Sequence, residues 1–493
     1  MPAKTDYDTA ADVVVIGSGL SGMVSALTAQ EAGAKVTVIE KLDIIGGSSG
    51  LSEGSIAGST NADDNARILP NLEVVSEFLP TKYALNTDKI TSTANALAEA
   101  HTWLYTALSE GGMAEEGECV LVPYTANFYV GENVDKSVNT DDDRWNLIAT
   151  GIFPMKANSY HGADYMIKLL AKRFTDNGGT IYTATTATKL ITNGDGAVTG
   201  VEAETDGGTV TFDAGAVVLA CGGSGRNTDN LIERDRGDET YACIGATGDA
   251  LTLGQGAGAA VYEDQRILTN SGRIYPINLF NGVAYSQTPF TSMYVDDSGN
   301  RRCAEDIWMT LIHACFFTEG RDHYWSVANA AVLDSEVLKY GSADIAGMNM
   351  LELVESRLED YPDYYVKADT IEELGEKLNM PNLAGTLAAY NAGCESGEDE
   401  FGKTAPYMIS MDEGPYYAIY ATLYGPGTQG GVVSDGECRV LDTNGSAIAG
   451  LYVAGEASNG GFFTEAYMCT HMLGICLGTG RIAGANAAAC AVK

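Results

Sequence analysis

The chain is poor in positive charge: lysine and arginine number 29 against 66 aspartates and glutamates, a formal net charge of −37 over 493 residues. That balance argues against nucleic acid or anionic membranes as partners, because both require basic patches. A solubilising acidic surface is its plainest reading. Long apolar runs are missing too. None approaches the 18 or so residues that a membrane span requires, so no span is expected. The first residues, MPAKTDYDTAAD, hold neither an apolar core segment nor paired arginines, and the expectation is that no export signal is present. The ten cysteines are scattered, without C-x-x-C, zinc-ligand spacing or the C-x-x-C-H of attached haem. No metal and no haem are expected, and a reducing cytoplasm is the expected compartment. Cys221 and Cys476 lie in apolar segments and read as small core residues.

What is present begins at Val13. Val13–Ile16 read as a buried parallel strand and Ser21–Gly33 as the helix after it. Between them Gly17, Gly19 and Gly22, interleaved with Ser18, Leu20 and Ser21, spell G-x-G-x-x-G. The first glycine permits the turn, the second lets backbone approach a pyrophosphate, and the third lets helix and strand pack closely. The pyrophosphate then rests on the helix N-terminus, where unpaired N–H groups favour negative charge. Val36–Ile39 form the next strand and end in Glu40, whose carboxylate suits both ribose hydroxyls and would repel a 2′-phosphate. After Lys41 comes Gly46-Gly47-Ser48-Ser49, then a second stretch of small residues through Gly54 and Ser55. An NAD domain would continue into another βαβ unit here. A glycine and serine loop suits the diphosphate of FAD instead.

At 493 residues the chain is too long for one ordinary core. The expected class is α/β: a Rossmann-like FAD-binding domain of residues 1–261 and 381–493, with an inserted α+β capping domain over 262–380. In the second block a helix ends at Gly178-Gly179, and strand Thr180–Thr183 follows. Val198–Glu204 and Thr209–Phe212 read as a small antiparallel meander. Ala216–Ala220 reads as a separate buried strand ending in the turn Cys221-Gly222-Gly223. Thr247-Gly248-Asp249 open the helix Ala250–Ala257, in a turn expected to face the cofactor together with Ala220, Gly222 and Gly223. In the third block, strand Leu451–Ala454 leads to Gly455-Glu456, and a helix runs from about Met472 to Ala488. Its N-terminus near Leu473 is suited to the flavin pyrimidine edge. The intervening segment is richer in tyrosine, tryptophan and acids, with helical patterns at Ile307–Thr318 and Met350–Leu358.

IGSGLSG with EK and GGSS, VVLACGGSG, ATGDA, SGNRRCAED, and GLYVAGE with GTGRIAGANAA together resemble the fumarate reductase/succinate dehydrogenase flavoprotein superfamily. That superfamily includes soluble fumarate and urocanate reductases and 3-ketosteroid dehydrogenases. The resemblance covers nearly the whole chain. It implies an FAD domain with a capping domain, substrate between them, and hydride passing between flavin N5 and an activated C=C bond while a side chain handles the proton. The family's covalent attachment uses a histidine near the second glycine loop. Ser48, Ser49 and Gly50 offer none, so noncovalent FAD is expected.

Departures from the family pattern narrow the substrate. The position of its proton-donating arginine falls near Met309. A carboxylate-binding histidine is replaced by Gly427 in Gly427-Thr428-Gln429-Gly430-Gly431. The C-terminal clamp arginine aligns near Tyr467, and no arginine lies between Gly450 and Gly480. A buried carboxylate without its charged partner costs roughly 3–5 kcal/mol, and each 1.4 kcal/mol is about tenfold in affinity. Unless Arg226, Arg266 or Arg273 substitutes, fumarate is disfavoured and a hydrophobic, oxygenated cyclic or aromatic molecule fits better. Tyr467 is the leading catalytic candidate, polarising an oxygen or donating a proton. His471 lies four residues on, positioned to share that proton or else to cap the last helix. Glu305 follows G-N-R-R as the family's glutamate does, or simply pairs with Arg301. Met309, Tyr424, Thr428 and Gln429 are expected substrate contacts, with Tyr416 and Tyr417 near them. His313 and His323 read as structural residues on helical segments of the cap.

The acidic, haem-free form also resembles flavoproteins of anaerobic gut actinobacteria, including the type that converts tetrahydrodaidzein to the isoflavan equol. A steroid enone reductase or dehydrogenase, a fumarate- or urocanate-type reductase, and a non-catalytic electron-transfer subunit remain as alternatives. No second nucleotide fold appears, so an external electron donor and slow direct reduction by NAD(P)H are expected.

Overall fold

The computed structural model describes residues 7–52, 54, 56–70, 72–73, 84–112, 119–129, 146–156, 162–227, 242–262, 266–274, 290–306, 312, 315–316, 323–335, 349–463 and 471–492. At 119–129, 146–156, 162, 266–273, 423–424 and 426 it describes backbone alone. Among the described residues the strands in chain order are β1 (Ala10–Ile16), β2 (Val36–Ile39), β3 (Cys119–Tyr129), β4 (Asn146–Lys156), β5 (Thr180–Tyr182), β6 (Thr186–Thr192), β7 (Val198–Thr205) and β8 (Gly208–Leu219). They continue with β9 (Arg266–Ile274), β10 (Met293–Val295), β11 (His323–Asn329), β12 (Tyr365–Ala368), β13 (Tyr416–Gln429), β14 (Arg439–Leu441) and β15 (Ala447–Val453).

The main sheet runs β14-β15-β8-β1-β2-β5. Val13, Val14 and Val15 of β1 are wholly buried, as a central parallel strand covered on both faces must be. In parallel register, Ile16 pairs with Ile39 of β2 on one side and Leu219 of β8 on the other. The chain leaves β1 towards β2 and returns on the far side as β8. A crevice therefore opens at the carboxyl ends of β1 and β8, where the winding reverses.

Thr209–Phe212 and Ala216–Ala220, expected as separate strands, are one strand. The amino half of β8 pairs antiparallel with β7, from Gly208 opposite Thr205 to Asp213 opposite Gly200, and its carboxyl half pairs parallel with β1. Phe212, Ala214 and Ala216 are buried while Asp213 and Gly215 between them are exposed. The alternation thus runs unbroken from the meander into the fully buried run Ala216–Leu219, and no turn is needed.

A second sheet, β10-β11-β13-β12 with β9 on β13, has its own core. That core extends past the expected boundary at residue 380, taking in Leu383, Leu387, Tyr390, Met411 and Tyr416–Ile419. Leu383, Leu387 and Tyr390, at i, i+4 and i+7, make one buried stripe on helix Leu383–Ser396. Helix Met350–Arg357 forms as expected, started by a capping box between Asn349 and Glu352. The pattern at 307–318 lies mostly outside the described residues. His323 sits on strand β11 instead of a helix, stacked on Tyr420 at 4.4 Å and 2.8 Å from an oxygen of Asp297.

The final helix, His471–Ala491, crosses the first helix, Leu20–Glu31, at close range. A Cβ on Gly484 would lie 2.4 Å from Ser25 O, and one on Gly480 would lie 2.9 Å from Val24. This crossing brings the N-terminal turn of the final helix to the crevice beside the glycine loop.

Candidate active site

The crevice is a cleft between the glycine loop, the 243–249 turn and the final helix. Its floor is the first glycine motif. Gly17 takes φ +106°, and a Cβ there would sit 2.4 Å from Ala220 O; one on Gly22 would sit 2.0 Å from Gly17 O. Gly19 is the N-cap of the first helix and supplies no side-chain cap, so that first turn depends on other partners. The Leu20 N–H reaches Ser49 Oγ at 3.2 Å. Gly17, Ser18, Gly19 and Ser21 line the cleft, while Leu20 and Gly22 do not.

Glu40 also lines the cleft, but most of its carboxylate is already used. Oε2 accepts the Ser18 N–H at 3.0 Å and the Ser18 hydroxyl at 2.6 Å, and Oε1 accepts the Leu42 N–H at 2.9 Å. A carboxylate offers about four acceptor positions, which leaves room for one ribose hydroxyl instead of the expected pair. The same bonds orient the glycine loop.

Opposite stands the second block. Lys41 Nζ donates to Thr247 Oγ1 at 2.6 Å and to Asp249 Oδ2 at 2.7 Å, and Thr247 donates to the other Asp249 oxygen at 2.7 Å. Cys243 N donates to Ser48 Oγ at 3.0 Å. Lys41, Gly47, Ser48, Ser49, Ala220, Gly222 and Asp249 line the cleft; Gly46, Gly54, Gly223, Thr247, Gly248 and Gly455 do not. Asp249 therefore combines both of its readings, a first-turn acid and a wall residue. Lys41 and Asp249 are about one-fifth to one-quarter exposed, so their link is worth more than a surface pair. Lys41→Ala should weaken FAD binding by about tenfold, the equivalent of roughly 1.4 kcal/mol, in a fluorescence titration. An unchanged affinity would show that the two blocks hold together without the lysine.

Glu456, Met472, Leu473 and Cys476 close the third wall. Glu456 Oε1 accepts both the N–H of Thr428 and its hydroxyl, at 2.6 and 2.8 Å. Burial raises the Glu456 carboxyl above the ordinary range, opposed by those hydrogen bonds. Gly223 is wedged against this pair, since a Cβ there would lie 2.0 Å from Thr428 Oγ1. Cys476 lies in the main core and Cys221 packs against a second buried cluster, as read, and both also border the cleft, as does Cys243. Burial pushes the Cys221 and Cys476 thiols up to about 12, so both are neutral surfaces at pH 7.

The candidates for chemistry divide. Tyr467, Met309, Ser55, His313 and the side chain of Tyr424 lie outside the described residues, as do the side chains of Arg266 and Arg273. Arg226 is exposed, and its Nε donates to Ala242 O at 2.9 Å. Glu305 takes the ion-pair reading: it is fully buried, with Arg301 Nε 2.8 Å from Oε1 and Lys403 Nζ 3.2 Å from Oε2. His471 begins the final helix and faces a separate small apolar cavity walled by Phe462, Phe463 and Leu97. Thr428, expected to meet substrate, is committed to Glu456 and accepts the Ser224 N–H at 3.0 Å. Gln429 donates to Phe463 O at 2.9 Å, and its Oε1 is buried with no hydrogen-bond partner among the described residues. Tyr416 and Tyr417 belong to the second core, where their hydroxyls donate to Met411 O and to Glu355.

Thr185 and Ala187 wall the cleft without having been anticipated. Their signal was available, because they follow β5, whose carboxyl end adjoins that of β2.

A parallel sheet carrying a glycine loop, a ribose-side acid and a helix N-terminus along one cleft defines a dinucleotide-binding oxidoreductase scaffold. Residues 12–469 match the model of the FAD binding domain family, and the chain belongs to that family. It is an FAD-dependent oxidoreductase of the fumarate reductase type. It is 28% identical over 513 residues to a urocanate reductase of Eggerthella lenta, covering 99% of this chain and 76% of the relative. It is 25% identical to a vinyl phenol reductase of Lactiplantibacillus plantarum, covering 97% and 96%. In fold it is similar to a 3-ketosteroid-Δ4-(5α)-dehydrogenase of Rhodococcus jostii, with a TM-score of 0.73, 20% identity and 98% of both chains covered. The cleft fits FAD on its own geometry: glycines occupy the places where a Cβ would strike backbone, and Glu40 keeps an acceptor position. Among the described residues, no helix is long and apolar enough to cross a membrane.

Proposed function

We propose that this protein reduces an activated C=C bond in a largely uncharged, oxygenated cyclic or aromatic substrate, with FAD held noncovalently in the cleft. The observation that carries the reading is Gly427, which packs against the wall residue Glu456. A side chain there would begin 3.2 Å from Glu456 Oε1, so the position offers backbone instead of a carboxylate-binding imidazole. The segment 450–480, without arginine, supports the same exclusion. Buried beside it, Gln429 Oε1 is an acceptor suited to a substrate hydroxyl. The name of one relative, a vinyl phenol reductase, agrees with an uncharged unsaturated ring compound, whereas urocanate, named in another, shares the unsaturated ring system but carries a carboxylate.

FAD held in the cleft, once reduced by the external donor, would supply the hydride. In this reading the chain's own groups hold and polarise. Glu456 and Leu473 wall the ring end of the cleft, and Tyr467 delivers the proton or polarises the substrate oxygen. Steroid enones and unsaturated isoflavonoids are the leading substrates; tetrahydrodaidzein, which has no activated C=C bond, would instead exchange its hydroxyl for the hydride, the hydroxyl leaving as water with the proton. An external donor reduces the enzyme.

The test is anaerobic reduction with dithionite, followed by a screen of enones, steroids, isoflavonoids, cinnamates, urocanate and fumarate for reoxidation. An uncharged ring compound should reoxidise the enzyme fastest, and fumarate in that place would overturn the reading. Tyr467→Phe should lower turnover by at least 100-fold, about 2.7 kcal/mol, with FAD still bound. Full activity in that variant would instead favour a passive electron-transfer subunit.

A further inference from the structure

Lys89 lies in the first turn of helix Thr87–Glu110 and is only 2% exposed. Among the described residues no carboxylate forms an ion pair with it. Its ammonium faces three oxygens of one loop: Ser458 O, Ser458 Oγ at 2.8 Å and Gly460 O at 3.4 Å. The hydroxyl of Ser458 already donates to Val432 O at 2.7 Å, so towards the lysine it acts as an acceptor. Three acceptors require three N–H groups. An ammonium has three and a neutral amine only two. Phe462 and Tyr262 cover the charge, their ring centroids 5.2 and 5.8 Å from Nζ.

The loop so held adjoins the cofactor cleft through Glu456. It follows Gly455-Glu456 directly, and Asn459 fastens it to Thr428 O and to the Gly430 N–H. Asn86, the cap of the same helix, donates its N–H to Gly461 O at 2.9 Å. The helix terminus and its lysine therefore act on one segment from one side.

We propose that Lys89 is a positioning residue, whose buried ammonium fixes the 456–461 loop in the shape that presents Glu456 to FAD, so that cofactor affinity depends on the lysine keeping its third proton. This rests on the FAD reading of the cleft. Its readout is cofactor affinity rather than turnover, so a wrong substrate assignment would leave the test intact, whereas a failure of the wild type to bind FAD at any pH would refute the cleft assignment itself.

Burial lowers the Lys89 ammonium to about 7, opposed by the nearby Cys438 and Asp435. The other titratable groups facing this region are Tyr262 and Glu456. Burial raises Tyr262 and pushes Cys438 up to about 12, which keeps both neutral between pH 6.5 and 8.5. Glu456 is raised from the carboxylate range and needs its own control.

FAD affinity of the full-length protein is measured by flavin fluorescence from pH 6.5 to 8.5. The wild type should weaken by about tenfold across that range, because FAD binds best to the form carrying one more proton. Lys89→Met should bind weakly at every pH, with no slope. Ser458→Ala removes one acceptor from the ammonium, and should shift the midpoint of the wild-type slope to lower pH; this variant serves if Lys89→Met does not fold. Glu456→Gln should keep the slope. A flat wild-type profile, a slope surviving in Lys89→Met, or an unmoved midpoint in Ser458→Ala would each overturn the proposal.

Discussion

Gly22→Ala should abolish FAD binding, raising Kd at least 100-fold, and should destabilise the fold by about 3 kcal/mol. The added methyl would sit 2.0 Å from Gly17 O and 2.9 Å from Gly17 C. Both are backbone atoms, so no side chain can swing away. Gly17 has no room to retreat, because its own Cβ position lies 2.4 Å from Ala220 O. The first helix must therefore lift off β1, and the N–H groups of its first turn move with it. Gly33→Ala is the matching control: nothing lies within 4 Å of its Cβ, and φ +92° alone should cost about 1 kcal/mol. Thermal unfolding and FAD titration separate the two variants. Gly22→Ala binding FAD within threefold of wild type would show that the third glycine is not a packing requirement.

Removing Arg301 should cost about 3–5 kcal/mol of stability, the largest loss expected outside the cofactor cleft. Its guanidinium is 4% exposed, bonded to Glu305 at 2.8 Å and to Asp399 at 2.6 Å, whose side chains are 0% and 2% exposed. Arg301→Met would leave Glu305 with Lys403 and the Tyr294 N–H, and Asp399 with only the backbone N–H groups of Phe401 and Lys403. Burial acts to raise Asp399, but hydrogen bonding to Arg301 prevails and holds it below the usual carboxylate value. A group depressed in the folded state stabilises the protein above its unfolded pKa, and that contribution is lost as pH falls through the folded value. Arg301→Met should therefore unfold in acid at a higher pH than wild type, as followed by circular dichroism. The same cluster decides the role of Glu305. With both oxygens tied to Arg301 and Lys403, Glu305→Gln should lower the melting temperature while changing turnover of the folded enzyme by less than threefold. A large fall in turnover at unchanged stability would restore Glu305 as a catalytic group.

Much of the cofactor cleft was legible because its signals are local. Gly17, Gly19 and Gly22 work by spacing on one turn, and Glu40 follows its strand by a single residue. Glu305 was harder to read. Its four-residue offset from Arg301 was visible, but Asp399 and Lys403 lie nearly a hundred positions away, and nothing in that spacing announces an ion cluster. Thr428 misled for a related reason: beside a glycine pair it resembled a substrate contact, whereas its partner is Glu456, 28 residues on. Lys89 gave no signal, since a lysine in the first turn of a helix normally reads as solvated.

By itself, the sequence determined the class of ligand, the strand–turn–helix that meets it and the family, because each depends on residues only a few positions apart. Tertiary structure decided the rest. The winding of β8 from meander into parallel sheet, the second core running beyond residue 380, the thiols facing the cleft and the ammonium under the Glu456 loop all arise from pairings between distant segments. Burial and partner geometry set the charge and the role of such groups, and neither exists until the chain has closed on itself.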